Sequence, residues 1–166
     1  MWELPFGNDH RWASSGLGDA LFGNWQLSGI ATLSTGRPFT VLLNTGVNNG
    51  APSWPNRIGD GRLDEPTPNQ WFDIADFVAP PPNTYGDSGR GILYAPGQQT
   101  MDVSLAKRIP LKSRLNLQLR ADAFNLLNTP QFGFPNASIG SPTAGRITTL
   151  QGDSWRQLQF AAKVDW

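Results

Sequence analysis

In the stretch RLNLQLRADAF, residues 114 to 124, hydrophilic and apolar side chains alternate for the first ten residues without a break. Leu115, Leu117, Leu119, Ala121 and Ala123 fall on one side, and Arg114, Asn116, Gln118, Arg120 and Asp122 on the other. A repeat of two belongs to a β-strand, because successive Cβ atoms of an extended chain point to opposite faces. A helical stripe through Leu117, Ala121, Phe124 and Leu127 also exists, but it leaves Leu115 and Leu119 off its face. The spacing therefore predicts a strand with one oily and one hydrophilic surface.

The same scheme recurs. In RQLQFAAKVDW at the C-terminus, Leu158, Phe160, Ala162, Val164 and Trp166 alternate with Gln157, Gln159, Ala161, Lys163 and Asp165. In TMDVSLAK, Met101, Val103 and Leu105 stand opposite Asp102 and Ser104. Trp25, Leu27, Gly29, Ala31 and Leu33 share a face in NWQLSGIATLSTG, with Ile30 among the polar residues opposite, and MWELPF reads as the end of a fifth strand. The expected fold is all-β, a series of antiparallel up-and-down strands forming one domain over residues 1–166.

The connections are unequal. The strands near 99–107 and 113–126 are joined around RIPLK, where Pro110 lacks an N–H and favours a turn. Long loops are expected instead near 43–98, after a strand ending near Leu43, and near 126–155; both are rich in Pro, Gly, Asn and Asp. In a compact soluble domain such loops count against the strand assignment. In an outer-membrane barrel they are expected, because periplasmic turns are short and extracellular loops long. With the C-terminus at the periplasm, the last strand runs inward, 113–126 outward and 99–107 inward, so both long loops fall outside.

Composition removes several function classes. Thirteen Lys plus Arg balance thirteen Asp plus Glu, which leaves no basic surplus for nucleic acid. Without cysteine there is no disulfide framework and no thiolate metal site. Charged residues make up only 16% of the chain, against roughly 25% in soluble domains. No apolar run approaches the roughly 18 residues of a transmembrane helix, but a transmembrane strand needs only about 9 to 11 alternating residues. The N-terminal residues lack the basic and apolar segments of a signal peptide, so a secreted parent would need residues upstream of Met1.

A sheet crosses lipid only as a closed barrel, with one face toward hydrocarbon and the other toward a watery lumen. A soluble β-sandwich also alternates, with its apolar face inward. Periodicity alone leaves both open. The loop asymmetry and the aromatic residues near strand ends, Trp25, Phe124 and Trp166, favour the barrel, whose interfaces carry aromatic girdles. Leu115, Leu117, Leu119, Leu158 and Phe160 are then expected to face outer-membrane lipid, and Arg114, Asn116, Gln118, Arg120 and Asp122 the lumen.

Several stretches in order resemble the C-terminal part of the Oar-like TonB-dependent receptors of the bacterial outer membrane. They are ELPFG at 3–7, LFGNWQLSGIATLSTGRPFTV at 21–41, PNRIGDGRL at 55–63, WFDIADFVAPPPNTYGDSGRGILYAPGQQTMDVSLAK at 71–107, LQLRADAFNLLNTPQFGFPNASIGSPTAGRIT at 117–148, and RQLQFAAKVDW at the end. The resemblance implies energised uptake of an unidentified small ligand through a plugged barrel. It also implies that the N-terminal plug and the TonB-contacting segment belong to a part absent from this chain, which would not transport alone. Five strands fall short of the roughly eight in the smallest single-chain barrels. The end of the chain also resembles the signal read by the barrel assembly machinery, with Gln159, the small Ala161, Val164 and the terminal aromatic Trp166 in place; Gly is usual at the small position and Phe is frequent at the end.

Candidate chemistry is thin, and no enzymatic activity or cofactor is expected. The one histidine, His10, lies in GNDHRW without a serine motif that would complete a triad, and no G-x-S-x-G elbow occurs. Asp60 with Asp64, or Asp73 with Asp76, could formally serve as paired carboxylates, but they read more simply as turn and cap residues. NRIGDGRLDEPT fails as an EF-hand calcium loop, since Ile58 stands where an oxygen ligand is required and Thr67 where a bidentate Glu is, and no metal is assigned. GDSGRG at 86–91 lacks the lysine and helix of a phosphate loop.

Binding is better supported. Trp54, Trp71, Tyr85 and Tyr94 share the long loop with Arg57, Asp60 and Arg90, a set suited to holding a small ligand or to anchoring the loop on a barrel rim. Two alternatives remain at this point: a secreted β-sandwich that binds carbohydrate through its loop aromatics, and a small barrel completed by several chains.

Overall fold

The computed structural model describes residues 2–3, 22–44, 53–112, 115–152 and 154–166. Its strands are β1 (Trp2–Glu3), β2 (Trp25–Ser34), β3 (Pro38–Phe39), β4 (Leu42–Leu43), β5 (Asn56–Arg57), β6 (Phe77–Val78), β7 (Leu93–Tyr94), β8 (Gln98–Lys112), β9 (Leu115–Phe124), β10 (Ser138–Ile139) and β11 (Gln157–Asp165). A 3₁₀ turn, Ile74–Asp76, is capped by Asp73, whose side chain accepts from the Ala75 N–H. The described fold is all-β. Two compact units divide the chain: one comprises Met1–Thr32, Gln99–Thr129 and Asp153–Trp166, the other Leu33–Gln98 and Pro130–Gly152. His10 and Arg114 lie outside the described residues.

The first unit is built on a five-stranded sheet in the order β1-β2-β8-β9-β11, so every neighbour in the sheet is the next long strand in the chain. β1 with β2, β8 with β9 and β9 with β11 pair antiparallel. The Arg108 N–H bonds to Asn24 O while Gly29 lies against Asp102 and Val103, so β2 and β8 also run in opposite directions. The long connections therefore leave the strands at one end of the sheet, and β8 passes to β9 at the other.

Two expected boundaries move. β8 runs through RIPLK instead of turning there: Pro110 pairs with Asn116, and the register shifts between Pro110 and Lys112. A bulge tolerates the missing proline N–H, which is why a turn residue can lie inside a ladder. At the other site, β2 ends at Ser34, and Leu42–Leu43 forms a separate parallel pair with Ser138–Ile139 rather than the end of a sheet strand.

The second unit is made from the two long connections, which fold together. Phe39, Val41, Phe72, Phe77, Leu93 and Ala95 form its buried cluster, with Phe72 in ring contact with Phe39 at 5.6 Å and edge-on to Phe77 at 5.9 Å. Burying Phe72 fully is worth about 1.5–3 kcal/mol. Short ladders fasten the outside: β3 with β7, β5 with β6 and β4 with β10. Bonds across the two segments complete it, from Trp71 N–H to Gly145 O (2.8 Å), Ile147 N–H to Pro68 O (2.8 Å) and Leu42 N–H to Ala137 O (2.9 Å). Gly36 is required by close approach, because a Cβ there would collide with the Ala95 carbonyl.

Candidate functional site

The registers of β8, β9 and β11 sort their side chains into two faces. Val103–Ala123–Leu158, Leu105–Ala121–Phe160 and Ile109–Leu117–Val164 form rows on one face; Ser104–Asp122–Gln159, Arg108–Gln118–Lys163 and Pro110–Asn116–Asp165 form rows on the other. The alternation visible in each strand is thus kept in phase across the sheet, as a register one residue off would not allow. Arg120 lies on the hydrophilic face and donates from Nε to Asp122 Oδ1 at 2.8 Å.

The apolar face is not buried. Leu158, Phe160 and Leu119 are 62%, 76% and 41% exposed, whereas all the buried apolar residues among those described lie in the loop unit. Leu115 and Leu117 on the same face are half-buried. One residue breaks the oily surface: Lys107 occupies the row of Leu119 and Ala162. Its ammonium donates to Gly23 O at 3.2 Å and stands 4.8 Å above the Trp25 ring, so the charge is satisfied locally on an apolar surface. Trp25, beneath the Lys107 ammonium, shares this face. Phe124 does not; opposite Gln157 and two residues beyond Asp122, it continues the hydrophilic face, contrary to its expected place in a girdle.

The residues of the assembly-signal pattern divide accordingly. Gln159 and Ala161 oppose Asp122 and Arg120, Val164 opposes Leu117, and Trp166 beyond the strand is 93% exposed. β11 is a terminal strand of the sheet, with one edge unpaired within it.

At the end of the hydrophilic face, Thr100, Asp102, Phe124, Asn125, Trp155 and Gln157 line a cleft of about 360 Å³. Asn125, at a positive φ of 48°, is buried and holds this end together. Its N–H donates to Asp102 Oδ1 (2.8 Å), its amide nitrogen to Thr129 O (3.0 Å) and Ser154 O (2.8 Å), and its amide oxygen accepts from the Thr129 N–H (3.1 Å). Asn128, also at positive φ, accepts from the Arg156 N–H (3.1 Å). Sequence reasoning missed this cluster. Its only signal was two asparagines around the end of an alternating segment.

The residues expected to hold a ligand in the loop unit separate into several places. Trp71 and Tyr94 line a mostly apolar cleft of about 180 Å³ with Arg62, Leu63, Phe72 and Leu93. Trp71 is fixed there by its indole N–H, which donates to Tyr94 O at 2.8 Å. Trp54 instead stacks under Arg90, whose guanidinium carbon is 5.1 Å from the ring centre. Arg57 folds back onto Gly59 O (2.7 Å) and Asp60 O (3.0 Å), and Tyr85 is 79% exposed. Arg57 and the Trp54–Arg90 pair are thus engaged within the loop itself, while Trp71 and Tyr94 border an open cleft.

The loop carboxylates act on the backbone. Asp60 accepts from the Arg62 N–H, Asp76 from Gly61, Asp73 from Ala75 and Asp87 from Arg57, each at 2.8–2.9 Å. Among the described residues no three acidic or histidine side chains converge as a metal site, and no helix is long and apolar enough to cross a membrane.

A family model described as "Outer membrane beta barrel domain" matches residues 1–159. Comparisons with curated proteins and with solved structures return no match.

Proposed function

The chain belongs to the outer membrane beta barrel domain family and resides in the outer membrane; from that premise we propose that it is the C-terminal barrel portion of a TonB-dependent receptor similar to the Oar-like receptors. The apolar sheet face, with Leu117, Leu119, Leu158 and Phe160, then meets lipid, while Asn116, Gln118, Arg120 and Asp122 line the lumen. Arg114 belongs with the lumen set by its alternation. The chain acts as part of a receptor and not as an enzyme, taking up a small ligand with energy delivered through TonB and a plug domain elsewhere in the same receptor. The barrel assembly machinery would read Gln159, Ala161, Val164 and Trp166.

The observation that carries the membrane facing is the placement of the core. A soluble sandwich hides the oily side of its sheet against a second layer. Here Phe160 and Leu158 are open while the loops bury Phe72, Val41 and Leu93. Lipid is the solvent in which such a sheet is stable. The receptor reading draws further support from the length of the connections at 35–97 and 125–156 and from their organisation around a core, as a ligand-capturing surface requires.

The test is to purify the native protein from outer membranes in detergent and present it to the periplasmic domain of the host's TonB. Retention, together with an intact mass large enough for a plug and a barrel of about 22 strands, is the expected result. A barrel that shows no affinity for TonB overturns the receptor reading while leaving the membrane barrel intact.

A further inference from the structure

The cleft at the end of the hydrophilic face is built from fixed parts. Gln157 stands directly opposite Phe124 in the β9–β11 ladder, and Thr100 and Asp102 come from β8. Trp155 is held between neighbours whose backbones are tied down: Ser154 O accepts from the Asn125 amide and the Arg156 N–H donates to Asn128 Oδ1. Yet the Trp155 and Phe124 side chains are 59% and 41% exposed. Two aromatic surfaces left open on a mainly hydrophilic face are unfavourable to hydrate, and they are flanked by a hydroxyl, a carboxylate and a carboxamide.

We infer that this cleft is a subsite for a neutral saccharide, an assignment that rests on the lumenal facing proposed above. A sugar ring has a C–H face that packs on an aromatic surface and a rim of hydroxyls that donate and accept in one plane. Trp155 and Phe124 supply the surface. Thr100, Gln157 and the second oxygen of Asp102, whose first oxygen is occupied by the Asn125 N–H, supply the rim. The lining contains no Lys or Arg, which disfavours phosphate and other anionic ligands. Its volume of about 360 Å³ is at the small end of the roughly 300–1,000 Å³ of small-molecule sites, enough for a mono- or disaccharide.

The experiment uses the native protein in detergent, titrated with a panel of neutral gluco-, galacto-, manno-, xylo- and N-acetylglucosamine disaccharides, with calorimetry as the readout. At least one member is expected to bind, with little change between low salt and 0.5 M NaCl as the condition compared. Trp155→Ala weakens that binding by about tenfold or more, the usual consequence of removing an aromatic anchor, while Trp155→Phe retains most of it and controls for folding. Absence of binding by the whole panel, indifference to Trp155→Ala, or salt-sensitive binding of a polyamine such as spermidine in place of any sugar overturns the assignment. Ser104→Cys separates the two levels. If a membrane-impermeant maleimide labels it and no sugar binds, only the subsite falls; if it reacts solely with lipid-soluble reagents, the lumenal facing falls and the subsite with it.

Discussion

Asn125 sits where β9 gives way to its long connection, and three properties meet in its side chain and backbone. It is buried, it has a positive φ, and its amide group spans Thr129 and Ser154. Asn125→Ala removes those bonds and leaves a residue that tolerates the left-handed region less well than asparagine, so it is expected to destabilise by about 2–4 kcal/mol. Asn125→Gly loses the same bonds without the backbone penalty and should be milder by about 1 kcal/mol. Urea denaturation in detergent, followed by Trp fluorescence, compares the two; equal losses would mean the left-handed backbone contributes nothing. Gly36→Ala is a second case, because the new methyl group would collide with the Ala95 carbonyl. Limited proteolysis should then cut within 33–98 sooner than in the parent protein, and unchanged cleavage would contradict the close approach. Neither position announced itself in the sequence. Which asparagine or glycine is buried or crowded depends on partners about 30 and 60 residues away along the chain.

At the scale of elements, each strand with strict alternation was legible, since a repeat of two needs no information from elsewhere in the chain. β9 and β11 lie where the pattern put them. Pro110 misled because local turn preference was overridden by pairing with Asn116 across a bulge. Phe124 misled because proximity to a strand end says nothing about which face a residue occupies, whereas its register opposite Gln157 does. The register also defines a charge test of the two faces. Leu117 lies between Ile109 and Val164, so Leu117→Arg places a cation on the oily face and is expected to destabilise by about 2–4 kcal/mol near mid-bilayer. Gln118 lies between Arg108 and Lys163, so Gln118→Glu should be neutral or stabilising by up to about 1 kcal/mol through cross-strand pairing. Unfolding from lipid vesicles measures both, and a similar penalty at the two neighbouring positions would refute the facing.

For the whole molecule, the sequence disclosed the sheet and the excess of loop, but not that residues 33–98 and 130–152 assemble around one buried cluster. Phe39, Phe72, Phe77 and Leu93 are scattered among prolines and glycines with no periodicity to link them, so only their convergence in three dimensions reveals a core. The same lack of pattern explains why Trp71 and Tyr94 could not be told apart in role from Trp54 and Tyr85. On the proposed facing, the two units draw their cohesion from different surroundings, one from water expelled around a phenylalanine cluster and the other from contact with acyl chains, so they should respond to different perturbants. Urea is expected to dissolve the tertiary signals of the loop unit while amide protons in β8, β9 and β11 stay protected in the bilayer, and a single concerted transition would rule this out. Substitutions that reshape the loop unit can therefore accumulate without disturbing strand pairing in the sheet, because each unit is held together by contacts of its own.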